Sequence, residues 1–412
     1  NQEKIHKVAL LIYGDTPSRG NMKYLEERAT NIEPLSDYKE ISKNKNLRIK
    51  LGIDPTAHDV TLGWYAILRM LRKYQESGHT AVLILGEFTA QVGDPSGKSD
   101  TRNRLEANEI NDYSNSVLQI IKDILHKDNL EIVSNNDWLG SLTIHELLEL
   151  TSSTTLAQML ERDDFANRFK SQSPISLIEF FYPLFQGYDS VATRADIEIG
   201  GTDQLWNLMI GREIQKFYNQ KPQVAMTFPL LVGTDGTKKM SQSFNNYISI
   251  TDSPENIYGN LMSIPDEAMW EYFKLLTDIP LKTISDYKNE MKAGKINPFE
   301  LKKTLGLAIL EELTDKKSAE EASYFFESTT VNKIIPESIP EIHVDKNIDL
   351  HLPKFLLDNH ITKSNSEARR LIKSNSVKIN DKSIEILDIN SNDLIDKVLQ
   401  VGKRRFYRII SK

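Results

Sequence analysis

The 412-residue chain contains no cysteine. A disulfide framework, a thiolate zinc site and a cysteine nucleophile are therefore excluded. Long hydrophobic runs are also missing: no stretch of about 18 apolar residues is present, so no membrane-spanning helix is expected. The first residues, Asn1-Gln2-Glu3-Lys4, hold no apolar signal core, and the expectation is a cytoplasmic protein. Histidines are few, eight in all, and show no ligand spacing, so no dedicated metal site is expected. Internal repeats and low-complexity segments are absent. Positive charge is in deficit: 51 Lys and Arg stand against 58 Asp and Glu, a net charge of −7. At face value that argues against a nucleic-acid partner.

What is present changes that picture. Hydrophobic residues make up 39% and charged residues 26%, enough apolar material for sizeable cores. At roughly 150 residues per domain, two or three domains are expected. Charge is unevenly spread. Residues 351–412 hold 13 basic and 7 acidic residues, or +6, which leaves −13 on the rest. A basic tail on an acidic body is an arrangement suited to nucleic-acid contact.

Leu47 to Ile53 alternates and ends in Asp54-Pro55-Thr56, a strand running into a loop. Leu62, Tyr65, Leu68, Leu71 and Tyr74 have helical spacing, and Gly78 stops the helix. Ala81 to Leu85 is a continuous apolar run, the pattern of a buried parallel strand. Strand, helix and strand in about forty residues form a βαβ unit. Asn129 to Val133 and Asp196 to Gly200 supply further strands, and Thr202 to Tyr218 a helix.

Three polar, glycine-bearing clusters follow strands: Asp54-Pro55-Thr56, Gly93-Asp94-Pro95-Ser96-Gly97-Lys98 and Gly200-Gly201-Thr202-Asp203-Gln204. In an open α/β sheet such loops converge beyond the carboxyl ends of the strands, where ligands bind. The second cluster is one residue short of the G-x-x-x-x-G-K-[ST] spacing, so a P-loop nucleotidase is rejected.

These blocks, with Leu51-Gly52-Ile53-Asp54-Pro55-Thr56-Ala57, Tyr182-Pro183-Leu184-Phe185-Gln186-Gly187-Tyr188-Asp189-Ser190 and Lys238-Lys239-Met240-Ser241, resemble the bacterial tyrosyl-tRNA synthetases, which are class I aminoacyl-tRNA synthetases. The resemblance runs from about Leu47 to the C-terminus. It implies an α/β fold: a Rossmann-like catalytic domain with a parallel sheet, then a helical domain, then a small C-terminal α/β RNA-binding module. The expected boundaries are an N-terminal segment at 1–46, a catalytic domain at 47–250, a helical anticodon-side domain at 251–325, a linker at 326–350 and the module at 351–412. Within the catalytic domain, a helical insertion is expected at about 110–195 and a signature loop at 233–246.

The resemblance also implies roles. Asp94, Tyr182 and Gln186 resemble the holders of the tyrosine ammonium, which needs acceptors and a carboxylate. Asp189 resembles the acceptor of the phenol proton, a group costly to bury and leave unpaired. Gln204 resembles a partner of the substrate carboxylate. Gly201 and Asp203 resemble ribose contacts, with Asp54, Thr56 and Gly63 also on the nucleotide side. Thr56, Lys98 and Arg102 resemble residues facing the pyrophosphate end of ATP. ATP with Mg²⁺ is the implied cosubstrate, tyrosine and tRNA the implied partners, and a homodimer the implied assembly.

Two signatures depart from the family. The His-x-Gly-His box reads Thr61-Leu62-Gly63-Trp64, without either histidine. The Lys-Met-Ser-Lys-Ser box reads Lys239-Met240-Ser241-Gln242-Ser243, with neutral Gln242 at the second lysine. Related tryptophanyl enzymes resemble Thr61 at the first position, and eukaryotic tyrosyl enzymes also lack the second lysine. Trp64 has no such parallel: a large indole stands where a compact polar group meets the nucleotide, stacking on the adenine or filling its place. Removing one charge partner from the transition state costs about 3–4 kcal/mol. The tyrosine set is intact and the ATP set is eroded.

In the tail, Ser364-Asn365-Ser366-Glu367 opens a basic amphipathic helix as a capping box. Arg369, Arg370, Lys373, Lys403, Arg404 and Arg405 are candidates for phosphate contact. Three functions stay open on the sequence: a tyrosine–tRNA ligase, an enzyme handling tyrosine or charged tRNA without ATP activation, in the manner of cyclodipeptide synthases, and a non-catalytic tyrosine- or RNA-binding relative.

Overall fold

The computed structural model describes residues 17–44, 46–95, 105–331, 339–362, 364–380, 382–402 and 405–412. The candidates Lys98, Arg102, Lys403 and Arg404 lie outside the described residues, as do Ser96 and Gly97.

The chain runs through α1 (Pro17–Arg28), β1 (Asn31–Glu33), α2 (Leu35–Ile41), β2 (Arg48–Ile53), α3 (Leu62–Glu76), β3 (Thr80–Leu85), α4 (Thr89–Val92), α5 (Ala107–Ile124) and β4 (Leu130–Ser134). The short helices α6 (Asn136–Leu139), α7 (Ile144–Thr151), α8 (Leu156–Met159) and α9 (Asp163–Lys170) come next. They lead to α10 (Phe181–Thr193), β5 (Ile197–Gly201), α11 (Leu205–Phe217) and β6 (Val224–Phe228). These elements belong to a first compact unit, which reaches Thr251 and also includes Ile264–Asp286.

Its sheet has six strands in the order β1-β6-β5-β2-β3-β4. All neighbours are parallel except β1, which pairs antiparallel with β6. Central strands of a parallel sheet are covered on both faces, hence the unbroken apolar sequence of β3, whose residues 81–85 are all buried. Thr61 caps α3: its Oγ1 accepts a hydrogen bond from the Trp64 backbone N–H at 3.3 Å. That cap sits where an N-terminal Thr is favoured, and one face of the helix buries Leu62, Tyr65, Leu68 and Leu71. Gly86, just after β3, is required by close approach: a Cβ there would lie 2.0 Å from Asp54 Oδ1.

Several boundaries and one strand differ from the sequence expectation. The helical insertion expected from about 110 is interrupted by β4, the strand expected at Asn129–Val133, which pairs with β3 from Ala81 to Leu85, so the sheet continues through it and short helices follow only from Asn136. Strand β6 carries no alternation to announce it, because all five residues are buried.

The remaining elements are α12 (Pro254–Leu261), α13 (Met269–Leu276), α14 (Leu281–Lys292), α15 (Pro298–Leu313) and α16 (Lys316–Phe326), then β7 (Glu341–Val344), β8 (Asp349–His351), α17 (Leu352–Asp358), α18 (Asn365–Lys373), β9 (Val377–Ile379), β10 (Lys382–Ser383), β11 (Asp388–Asn390), β12 (Val398–Val401) and β13 (Arg405–Ser411). The second unit comprises Asp252–Ser263 and Tyr287–Lys412. The expected helical segment 251–325 is thus divided, since Ile264–Asp286 pack with the first unit. In the second unit, Tyr258 of α12 is fully buried and its hydroxyl is 2.9 Å from Ser323 Oγ of α16. Five strands, β10-β9-β12-β13-β7, form its sheet, and β8 and β11 a separate ribbon. The expected linker at 326–350 is not one throughout. Its residues Glu341–Val344 form β7, paired in parallel with β13, because alternation buries Ile342 and Val344 in the core of the small module.

Candidate active site

A cavity of about 750 Å³ opens at the carboxyl ends of β2, β3 and β5, beside the N-terminus of α3. Its lining includes the sequence candidates Asp54, Thr56, Thr61, Gly63, Trp64, Asp94, Tyr182, Gln186, Asp189, Gly201, Asp203, Gln204, Lys239 and Gln242. Residues from loops more than a hundred positions apart meet there because parallel strands deliver every carboxyl end to one edge of the sheet.

One end of the cavity is built on Asp189, which α10 buries to 3% exposure. Trp138 Nε1 donates to Asp189 Oδ1 at 2.8 Å, and Asn135 Nδ2 donates to Oδ2 at 3.3 Å. Burial pushes the Asp189 carboxyl up to about 7, while Lys50, Trp138 and Asn135 oppose that rise. Lys50 is itself fully buried. Its ammonium donates to the Gln186 carbonyl and to Ser190 Oγ, both at 2.7 Å, and pairs with Glu198 at 3.0 Å.

The middle of the cavity is a set of acceptors and amides. Tyr182 donates its hydroxyl to Asp54 Oδ2 at 2.9 Å, and Thr89 donates to Asp54 Oδ1 at 2.8 Å. Burial, together with the carboxylates of Asp54 and Asp94, holds the Tyr182 phenol well above its ordinary range. Gln204 Nε2 donates to Asp94 Oδ2 at 2.8 Å, and Gln186 Nε2 donates to Glu198 Oε1 at 3.1 Å.

At the other end, Lys239 Nζ lies 2.7 Å from Asp203 Oδ2. Gln242 Nε2 donates to the Asp59 carbonyl at 3.0 Å, which ties the signature loop to the segment just before α3. Met240 also approaches the helix start: a Cβ on Gly63 would lie 3.6 Å from the Met240 Cβ. The half-buried Trp64 indole lines this end. Five carboxylates line the cavity (Asp54, Asp94, Asp189, Glu198 and Asp203), and among the described lining residues Lys239 is the sole amine. The described part of this lining favours a cationic head group.

Sequence reasoning missed Lys50, Glu198, Asn135 and Trp138. The signal for the last two was local, since Asn135 and Trp138 directly follow β4 and its carboxyl end. Nothing in the sequence marks the Lys50–Glu198 pair, which arises from the lateral neighbourship of β2 and β5.

Of the basic candidates in the second unit, Arg369, Arg370 and Lys373 are exposed on α18. Arg405 is engaged internally: its guanidinium donates to the Ile361 carbonyl and lies 3.8 Å from Glu367.

The family model described as tRNA synthetases class I (W and Y) matches residues 42–329. The chain belongs to this family. Within it, the chain falls among the tyrosyl-tRNA synthetases. It is 45% identical to the tyrosine–tRNA ligase of Thermotoga maritima over 371 residues, covering 90% of this chain and 92% of that protein. It is 44% identical to that of Carboxydothermus hydrogenoformans over 380 residues, with the same 90% and 92% coverage. Among solved structures, a C-terminally truncated mitochondrial tyrosyl-tRNA synthetase of Aspergillus nidulans shares the fold with a TM-score of 0.61 at 22% identity, covering 74% of this chain and 92% of that one. A tyrosyl-tRNA synthetase of Archaeoglobus fulgidus, complexed with L-tyrosine, gives a TM-score of 0.59 at 20% identity, covering 74% and 99%. Among the described residues no helix is long and apolar enough to cross a membrane.

Proposed function

We propose that this synthetase-family chain binds L-tyrosine in the cavity and joins it to tRNA, with ATP activation that is slow. The observation that carries the reading is the polar set on one cavity wall: Asp94, Tyr182 and Gln186 as acceptors for the ammonium, the Gln204 amide as a donor to the carboxylate, and buried Asp189 as acceptor for the phenol. Tyrosine and ATP with Mg²⁺ would give tyrosyl-adenylate and pyrophosphate. A hydroxyl at the tRNA 3′ end would then displace AMP. The protein's contribution is positioning and electrostatic stabilisation. Mg²⁺ enters with the triphosphate, a mode typical of nucleotide sites.

Asp54, Thr56, Gly63, Gly201 and Asp203 form the nucleotide side of the reading, with Lys98 and Arg102 toward the pyrophosphate. The eroded step is the transfer at the α-phosphate. Thr61 Oγ1 accepts the helix-capping bond and is neutral, Gln242 donates to the Asp59 carbonyl and is neutral, and Lys239 is paired with Asp203. Neither Thr61 nor Gln242 carries a charge to set against the leaving pyrophosphate, and Lys239 already faces a carboxylate.

The basic helix face of Arg369, Arg370 and Lys373 supports tRNA contact, and the reading places the protein in the cytoplasm. A homodimer is supported by Ile144, Leu148, Leu156, Phe169 and Leu177, large apolar side chains exposed by 61–80% on the segment after β4.

The test is tyrosine-dependent exchange of labelled pyrophosphate into ATP. Slow exchange that depends on tyrosine is expected. Tyrosine binding with no exchange at any enzyme concentration would overturn the ATP-activation step.

A further inference from the structure

Two glutamine amides face the bound head group in the tyrosine reading, and an amide serves only if its oxygen and nitrogen point the right way. Outside the cavity wall stands Asn207 of α11, exposed by only 1%. Its Nδ2 donates to Gln204 Oε1 at 2.9 Å and to Gln186 Oε1 at 3.1 Å. Its Oδ1 accepts from Arg162 Nη1 at 3.0 Å. Arg162, exposed by 6%, is held by Asp164 through two bonds of 2.5 and 2.6 Å, and its guanidinium lies over the Phe165 ring at 4.5 Å.

The chemistry of the ends leaves the network one arrangement. Arginine only donates, so Asn207 must turn its oxygen to Arg162 and its nitrogen to the glutamines. A carboxylate only accepts, so Gln204 must turn its nitrogen to Asp94, and Gln186 its nitrogen to Glu198. Both glutamine oxygens are then directed at Asn207, which has two N–H groups to meet them. Every orientation is specified from both sides. Reversing any one amide would set donor against donor or acceptor against acceptor in a buried place.

We propose that Asn207, locked by Arg162, is a positioning residue that fixes Gln186 and Gln204 for the amino-acid head group and leaves the phenol end untouched. The proposal rests on the tyrosine reading. Its consequence is selective: disturbing Asn207 weakens ligands through their ammonium and carboxylate and not through their hydroxyl.

The test compares L-tyrosine with 4-ethylphenol, which keeps the phenol and has no head group, by calorimetry and ligand-observed NMR. Asn207→Asp retains size and the bond to Arg162 but cannot donate to either glutamine. Asn207→Ser is the second variant, and whichever keeps the wild-type melting temperature decides the matter. L-Tyrosine is expected to bind at least about tenfold more weakly and 4-ethylphenol within about threefold of wild type, as for a head-group hydrogen bond left unmade. Equal losses for both ligands would mean a merely structural role and overturn the proposal, as would unchanged L-tyrosine affinity. Failure of the wild type itself to bind L-tyrosine would instead overturn the tyrosine reading, and the two failures differ because the latter needs no substitution.

Discussion

Asp189→Asn is the perturbation with the clearest consequences. The wild-type carboxyl is raised from 3.8 to about 7 by burial, which corresponds to about 4 kcal/mol against the ionised folded state. Because the folded value lies above the unfolded one, that penalty is absent below about pH 4, accrues as pH rises toward 7 and is complete above it. The amide substitute escapes it but has one acceptor oxygen for two donors, Trp138 and Asn135, which leaves one buried donor unmet at about 1–3 kcal/mol. Asp189→Asn is therefore expected to melt no lower than wild type at pH 8 and lower than wild type at pH 4, where little of the wild-type penalty has accrued. Tyrosine binding should respond in the opposite sense. A phenol hydroxyl loses a charge-assisted bond of about 1.5–3 kcal/mol, so affinity at pH 8 falls about 10- to 150-fold. In the wild type, ionisation near pH 7 predicts affinity about tenfold weaker at pH 6 than at pH 8, and the variant should show no such slope. Calorimetric titration with L-tyrosine at both pH values, alongside thermal melting, checks each part. A pH-independent wild-type affinity together with undiminished binding by Asp189→Asn would refute the reasoning.

Restoring the signatures with Thr61→His, Trp64→His and Gln242→Lys together should raise pyrophosphate exchange by at least about 10²-fold, the worth of one recovered charge partner in the transition state, with non-additive gains beyond it. Lys50→Met leaves the Glu198 carboxylate, 1% exposed, without its cation, and should lower stability by about 3–5 kcal/mol in urea unfolding. Replacing Arg369, Arg370 and Lys373 by glutamine should flatten the salt dependence of tRNA binding by roughly 0.7–0.9 for each phosphate no longer neutralised, measured by filter binding between low and moderate salt. Arg405→Gln should leave that slope unchanged and lower the melting temperature instead, since its guanidinium serves Ile361 and Glu367.

How much of this was legible beforehand follows from physical range. Ala81–Leu85 announced itself because a central parallel strand is apolar on both faces, Leu47–Ile53 because it alternates into a polar loop, and α3 because its periodicity is local. Their convergence on one sheet edge follows from the parallel strand direction of βαβ units and was readable as well. Strand β7 was not, because two buried residues between prolines resemble a linker until β13 supplies a partner. The candidate lining residues came through the motif blocks. The groups behind them did not: Lys50, Glu198, Asn135 and Asn207 act through neighbours that are distant in sequence, and only tertiary structure sets an asparagine against an arginine 45 positions away. The eroded signatures were legible as missing charge. That Gln242 ties its loop to Asp59 and that Thr61 becomes a cap were not.

The central claim is that the cavity is a tyrosine site whose selectivity lies in a buried carboxylate. Calorimetric titration of the wild-type chain with L-tyrosine and with L-phenylalanine at pH 8 tests it most directly. Saturable binding of L-tyrosine below millimolar concentration and much weaker binding of L-phenylalanine are expected. No binding of L-tyrosine at millimolar concentration, or equal affinity for the two amino acids, would contradict it.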